Sequence, residues 1–382
     1  MSLNCGYIFL TDLKRPQQSL MEYKALLITE APNGKFERSI VTRQTDDLPK
    51  GDVLIRVHYS ALNYKDGLSA TGHRGITKKF PHTPGIEAAG RVEVSTVPQF
   101  EKGAEVFLTG YDLGMNTSGA FAEYIRVPAE WVMTKPSWIT CKDCMTIGTA
   151  GFTAAYALHK MESMGQTPDY GPIVVTGATG GVGSLSVAVL AKAGYEVIAV
   201  TGKPEATDYL KFLGASRVEP REFLNDNLGR PLAKAIWAGA IDTVSGNMLT
   251  TLLKRCRRDG NIVATGLLSS VHFSTTIYPF ILNGVNLLGI GAGQTPMALR
   301  QKLWAKLFNE WNISDKVSAI THEIGLEELK DTYIDAILAG KTKGRVVVKL
   351  KEDCCEKERQ AEDAKPVELQ VAEFPEVISA VA

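Results

Sequence analysis

Apolar and polar positions along the chain fall into two textures. In the first third the apolar stretches are short, at 23–28, 52–57, 88–94 and 105–108. Pro49-Lys50-Gly51, Pro81, Pro84-Gly85 and Lys102-Gly103 punctuate them. Short strands with frequent turn signals predict a β-rich, barrel-like domain. From residue 147 the pattern changes. A helical stretch at 147–164 is followed by a strand at 173–176, a helix at 184–193 ended by Gly194, and a strand at 197–200. A helix at 205–213 stopped by Gly214 and strands at 241–244 and 261–266 continue the series. Strands apolar on both faces, alternating with helices, predict an α/β fold with a doubly wound parallel sheet of the Rossmann type. Helices at 297–311 and 326–338 and a strand at 345–350 close the pattern and are expected to rejoin the β-rich domain. The predicted division is therefore 21–146 with 285–350, and 147–284. Residues 1–20 are expected to be a disordered extension and 351–382 a charged, solvated tail.

Composition narrows the function classes. With 382 residues the chain can bury two cores. Its formal net charge of zero leaves no basic excess for a nucleic acid, although a local cationic pocket remains open. No run reaches the ~18 apolar residues of a membrane span. Asp12, Lys14 and Arg15 follow the first apolar stretch, the wrong order for a secretory signal. Six cysteines are too few for a disulfide framework, which points to the reducing cytoplasm. Cys141 and Cys144 form a lone C-x-x-C pair, better read as helix positions than as a metal or redox site.

The strongest chemical signal is the run Ile173-Val174-Val175-Thr176-Gly177-Ala178-Thr179-Gly180-Gly181-Val182-Gly183, an apolar strand, a glycine-rich turn and a helix start. Such a turn brings backbone close to a pyrophosphate, and free amides at the helix N-terminus meet its charge. An NAD site usually has a carboxylate at the end of the second strand. Here Val200-Thr201-Gly202-Lys203 offers a hydroxyl and a cation instead, which suits the 2′-phosphate of NADP(H).

With these segments placed, the chain resembles the medium-chain dehydrogenase/reductase superfamily. Within it, the similarity is to the YhdH/YhfP group of quinone-oxidoreductase-like proteins, which includes acrylyl-CoA reductases. The resemblance runs from about Met21 to Leu350. It is carried by Leu62-Asn63-Tyr64-Lys65-Asp66, Phe80-Pro81-His82-Thr83-Pro84-Gly85-Ile86-Glu87, Ile147-Gly148-Thr149-Ala150-Gly151-Phe152-Thr153, the glycine run, Trp237-Ala238-Gly239-Ala240-Ile241-Asp242, Pro279-Phe280-Ile281-Leu282 and Gly344-Arg345. It implies a GroES-like substrate domain beside a Rossmann cofactor domain, an active site between them, and a homodimer. Zinc dehydrogenases of the superfamily carry a cysteine in the Asn63/Tyr64 region and a histidine in the Gly-x-Glu of 85–87. This chain lacks both, so no metal is expected. It also departs from its relatives at Ile290-Gly291-Ala292-Gly293-Gln294-Thr295-Pro296, where they commonly place Val-Asp-Ser before Thr-Pro.

Without zinc, NADPH-dependent reduction of an activated C=C bond, as in an enoyl-CoA thioester, fits better than alcohol oxidation. The resemblance places Tyr64 by the nicotinamide, as a cofactor contact or a proton donor, with Asn63 and Asp66 as orienting groups, although Asp66 reads better as a helix N-terminal or turn carboxylate. Thr149, Thr153, Gly177, Thr179, Gly180, Gly181, Val182, Gly183, Thr201, Gly202, Lys203, Gly266, Leu267 and Arg345 complete the expected cofactor contacts, although Arg345 reads equally well as a strand-edge cation. His73, Arg74, Lys78 and Lys79 form a candidate cluster for CoA phosphates. Two alternatives stand beside this reading, an NADPH:quinone oxidoreductase and a non-catalytic NADPH-binding sensor or structural protein.

Overall fold

The computed structural model describes residues 20–225 and 229–351. The expected N-terminal arm and charged tail thus lie almost wholly outside the described residues. Strand β1 (Glu22–Glu30) pairs antiparallel with β2 (Phe36–Gln44) in a two-stranded sheet. Strand β3 (Val53–Ala61) leads into helix α1 (Tyr64–Ala70), and β4 (Glu87–Ser95), β5 (Glu105–Thr109), β6 (Tyr124–Val127) and β7 (Met133–Thr134) follow. Of the nine β3 residues only Arg56 is not fully buried, because β3 is flanked by β4, β6 and the last described strand.

Helix α2 (Cys141–Ser163) starts six residues before the apolar pattern suggested. Thr140 caps it, its hydroxyl accepting from the Asp143 amide at 3.0 Å, and this polar first turn hides the start from periodicity. Cys141 and Cys144 are both buried on that turn, and burial pushes the Cys144 pKa well up. The helix is broken at Gly148, whose φ of 45° and ψ of −152° are not helical.

Beyond α2 come β8 (Ile173–Thr176), α3 (Gly181–Lys192), β9 (Val197–Thr201), α4 (Thr207–Leu213), β10 (Arg217–Pro220), β11 (Trp237–Asp242), α5 (Asn247–Lys254), β12 (Cys256–Ala264), α6 (Tyr278–Asn283) and β13 (Asn286–Gly289). The six strands form one parallel sheet in the order β10-β9-β8-β11-β12-β13. The order reverses between β8 and β11, and ligands of such sheets bind outside the strand ends at that switch point.

The predicted boundary at residue 285 needs correction. Asn286–Gly289 pairs with β12 and completes the parallel sheet. A four-residue, half-buried run suits either domain locally, and only its pairing partner decides. Helices α7 (Met297–Phe308) and α8 (Ser314–Ile320) then lead to β14 (Thr321–Ile324). Helix α9 (Leu326–Glu328), a π-helical turn over Leu329–Tyr333 and α10 (Ile334–Leu338) run on to β15 (Arg345–Lys349). Strands β14 and β15 join β3, β4, β5, β6 and β7 in a seven-stranded sheet.

One core spans both sheets, with α2 in its middle. Phe152, Leu158 and Met161 of α2 pack with Val175, Leu185, Leu303, Trp304 and, from the other sheet, Tyr59 and Phe107. A second tie is Arg300 of α7, which is fully buried. Its Nη1 donates to the Thr109 carbonyl and hydroxyl oxygens, both at 2.8 Å, and its Nη2 to the carbonyls of Ala292 and Gly293 at 3.1 Å. Tyr111 and Phe152 sandwich the guanidinium, at 4.5 and 4.8 Å. The loop at 290–296 is thereby clamped to the end of β5. Among the described residues no helix is long and apolar enough to cross a membrane.

Candidate active site

A cleft of about 640 Å³ opens at the switch point between β8 and β11. The glycine turn, the end of β9, the loop after β12, the start of α1 and the chain before β15 line it.

The glycines of the turn divide the work. Gly177 has φ +56°, and a Cβ there would meet Thr243 Oγ1 at 2.3 Å. A Cβ on Gly183 would lie 2.2 Å from the Gly177 carbonyl oxygen, so α3 rests directly on the turn. Gly180 differs, since a Cβ there would meet only that same oxygen, at 3.3 Å, on the side open to the cleft. Helix α3 begins with Ser184 donating to the Gly180 carbonyl at 2.8 Å, which leaves the amides before it without an intrahelical acceptor. This is a cradle for an anion, its floor kept bare at Gly180. Gly183→Ala is expected to destabilise the fold by about 1–3 kcal/mol, because backbone cannot yield. Gly180→Ala should keep the melting temperature and lose dinucleotide affinity. Thermal melts beside dinucleotide titrations check the contrast, and equal melting losses in both variants would contradict it.

At the end of β9, Thr201 accepts from the Lys203 amide at 3.1 Å, turning Lys203 toward the cleft. Lys203 Nζ donates to the Thr342 carbonyl at 2.7 Å. Burial lowers its pKa, Glu205 opposes this, and the nearby charges of Arg221 and Lys343 lower it further. Arg221 lies flat on Gly202, where a Cβ would meet its Nε at 2.3 Å. Lys203 and Arg221 thus share one corner of the cleft, with the charge of Lys343 acting from outside its lining, an arrangement that an anion would relieve. Nothing in the pattern singled out Arg221 or Lys343, which stand on polar turns.

The other wall rests on a buried ion pair. Glu87 of β4 and Arg345 of β15 are 0% and 2% exposed. Arg345 Nη2 donates to Glu87 Oε1, its Nη1 to the Asn63 side-chain oxygen at 3.0 Å and the Leu62 carbonyl at 3.2 Å, and its Nε to the Thr146 carbonyl at 3.2 Å. Asn63 Nδ2 returns a bond to Glu87 Oε1 at 2.8 Å. The Thr149 amide donates to Glu87 Oε2, just past the break in α2. Gly148 makes the break possible, since a Cβ there would lie 2.5 Å from Glu87 Oε2. The pair thus joins β3, α2, β4 and β15 at one point beneath the cleft.

Several expected contacts are corrected by this arrangement. Asn63 lines the cleft, but its amide is committed to Glu87 and Arg345. Asp66 is fully buried and does not reach the cleft. It accepts from the amides of Asn63 at 2.8 Å and Gly85 at 3.1 Å, and burial raises its pKa to about 7. It therefore holds the start of α1 and the Gly85 turn. Thr149 and Thr153 also lie outside the cleft lining; Thr153 donates to the Thr149 carbonyl at 2.7 Å, and Ala150 is the α2 residue that lines. Arg345 is no strand-edge cation, and it reaches the cleft beside Gly181, whose Cβ would lie 3.2 Å from Arg345 Cδ. Arg74 pairs with Glu30 at 2.6 Å and stacks on Phe80, and none of His73, Arg74, Lys78 and Lys79 lines the cleft. Tyr64, Gly177, Thr179, Gly180, Gly181, Val182, Gly183, Thr201, Gly202, Lys203, Gly266 and Leu267 do line one cleft. Reading the residues alone also passed over Glu87 as the hub and Lys65 as a lining cation. Among the described residues no group of three or more His, Cys, Asp or Glu could hold a metal ion.

Comparison with known proteins agrees with this architecture. Residues 49–137 match the alcohol dehydrogenase GroES-like domain, and residues 181–309 match the family described as zinc-binding dehydrogenase. The acrylyl-CoA reductase AcuI of Ruegeria pomeroyi is 40% identical over 327 residues, covering 85% of this chain and 98% of its own. The crystal structure of the YhdH oxidoreductase of Salmonella enterica in complex with NADP superposes with a TM-score of 0.82 at 41% identity, covering 87% of this chain and all of that one. YhfP of Bacillus subtilis with NAD bound also gives 0.82 at 41% identity, over 86% of this chain and all of its own. The chain is an oxidoreductase that belongs to the YhdH/YhfP group of the medium-chain dehydrogenase/reductase superfamily.

Proposed function

We propose that the protein is a zinc-independent, NADP(H)-dependent reductase of activated C=C bonds whose substrate class is the α,β-unsaturated CoA thioester. The observation that carries this is the meeting, in one cleft, of the bare glycine cradle, the cations Lys203 and Arg221 and the tyrosine Tyr64. The cradle fits a pyrophosphate, and the cations fit a 2′-phosphate. A reduced nicotinamide held here supplies a hydride. The chain's own residues orient and exclude. Amides of the turn and α3 would hold the phosphates, and Tyr64 and the loop carrying Gly266 and Leu267 line the cleft around them. The relatives' names supply the thioester. Asn63, in the region where zinc dehydrogenases carry a cysteine, is bound to Glu87 and Arg345 instead.

The same reading places the enzyme in the cytoplasm as a homodimer. Val271, Ile277, Ile281 and Leu282 are exposed apolar side chains on the segment that leads through α6 to the edge strand β13, a surface that a second copy would cover.

The test is NADPH consumption with acrylyl-CoA, then with a simple quinone, against a Tyr64→Phe control. The expected result is turnover of the thioester, faster with NADPH than with NADH by about tenfold or more, in keeping with one charged hydrogen bond. Turnover of the quinone alone would overturn the thioester. NADPH binding without turnover of either would point to a sensor. Sedimentation of the same preparation at the mass of one chain would refute the dimer.

A further inference from the structure

Beside Tyr64 the cleft holds a cation that nothing in the fold uses. Lys65 is half-buried and lines the cleft with Leu62, Leu68 and Ile76. An ammonium has three donors. Among the described residues its polar neighbour is Met115 Sδ, at 3.9 Å, a weak acceptor. The acceptors nearby are taken. A Cβ on Gly293 would lie 3.8 Å from Lys65 Nζ, but the Gly293 carbonyl already accepts from the Tyr111 amide at 2.7 Å and from Arg300 at 3.1 Å. Both oxygens of Asp66 accept backbone amides in a fully buried site. The loop 290–296 contains no carboxylate. A half-buried ammonium whose neighbouring acceptors are taken acts strongly on charge that develops next to it.

We propose that Lys65 is a catalytic residue whose ammonium donates to the carbonyl oxygen of the thioester and stabilises the enolate formed during reduction. This rests on the reading above that the substrate is an α,β-unsaturated thioester. The hydride of the reduced nicotinamide dinucleotide, with its electron pair, makes the new C–H bond at the β-carbon. The C=C π pair moves toward the α-carbon and the carbonyl oxygen, where Lys65 meets the negative charge. A solvent proton then makes the C–H bond at the α-carbon and the carbonyl re-forms. The dinucleotide is oxidised and the alkene reduced.

The test compares Lys65→Met, which keeps an apolar stem, with Lys65→Arg, which keeps the charge. Acrylyl-CoA and acrylyl-pantetheine, which lacks the adenosine phosphates, are the two substrates. For Lys65→Met, kcat/KM is expected to fall about 100- to 1,000-fold on both, in line with loss of one oxyanion donor. The melting temperature and the NADPH dissociation constant should be unchanged, and Lys65→Arg should recover part of the loss. A second readout needs no turnover. Propionyl-pantetheine titrated calorimetrically into the NADP+-loaded protein should bind about tenfold more weakly to Lys65→Met, as for one charged hydrogen bond. A loss confined to acrylyl-CoA would make Lys65 a phosphate anchor and overturn the proposal, as would no loss on either substrate. If the wild-type protein reduces neither thioester, the functional reading fails; the calorimetric contrast still decides whether Lys65 meets the carbonyl.

Discussion

Replacing Glu87 with alanine is expected to lower the unfolding free energy by about 3–5 kcal/mol, the range for removing one partner of a buried ion pair. The size follows from what remains. Arg345 would keep its guanidinium in a site 2% exposed, with only carbonyls and the Asn63 amide as acceptors. The Thr149 amide and Asn63 Nδ2 would also lose their acceptor. The loss cannot be absorbed locally, because the pair joins β3, α2, β4 and β15. Urea denaturation of the full chain measures it. Glu87→Gln should lose less, since its amide oxygen still accepts from Arg345. Replacing both Glu87 and Arg345 by methionine should recover part of the stability, because no charge is then stranded. A shift below 1 kcal/mol for Glu87→Ala would show that the pair is not the joint described here.

Arg221→Ala and Lys203→Ala are each expected to weaken NADPH binding by about 10- to 100-fold, as for hydrogen bonds to charged groups worth about 1.5–3 kcal/mol. NADH, which has no 2′-phosphate, should bind almost as before. Both side chains line the cleft at the end of β9, and Arg221 rests on Gly202. The lowered pKa of Lys203 records mutual repulsion as well as burial. A phosphate that enters this corner therefore gains attraction and relieves repulsion together. The preference should weaken with salt, because the site is only partly shielded. Fluorescence titration of both dinucleotides on both variants checks the result. Equal weakening of NADPH and NADH would refute a 2′-phosphate site.

Legibility differed between the two halves of the molecule. The parallel sheet was readable because its strands are apolar on both faces, so strands such as Ile173–Thr176 and Val197–Thr201 stand out from their helices. Strands β2 and β10 were not, since Phe36–Gln44 and Arg217–Pro220 are half-exposed edges with mixed polarity. Asp66 was a candidate orienting group because it shares a motif with Tyr64. Its carboxylate points away, into the amides of Asn63 and Gly85, and a motif string carries no direction.

By itself the sequence determined the fold class, the glycine turn and the lack of a carboxylate after the second strand. Each of these is local, written in periodicity or in residues a few positions apart. Only the tertiary structure decided that Glu87 and Arg345, 258 positions apart, form one buried joint. It also placed Arg221 beside Lys203, put Asn286–Gly289 in the parallel sheet, and left Lys65 facing the cleft with its neighbouring acceptors occupied. These are pairings between distant segments, and which acceptor a buried charge finds depends on what the folded chain brings beside it.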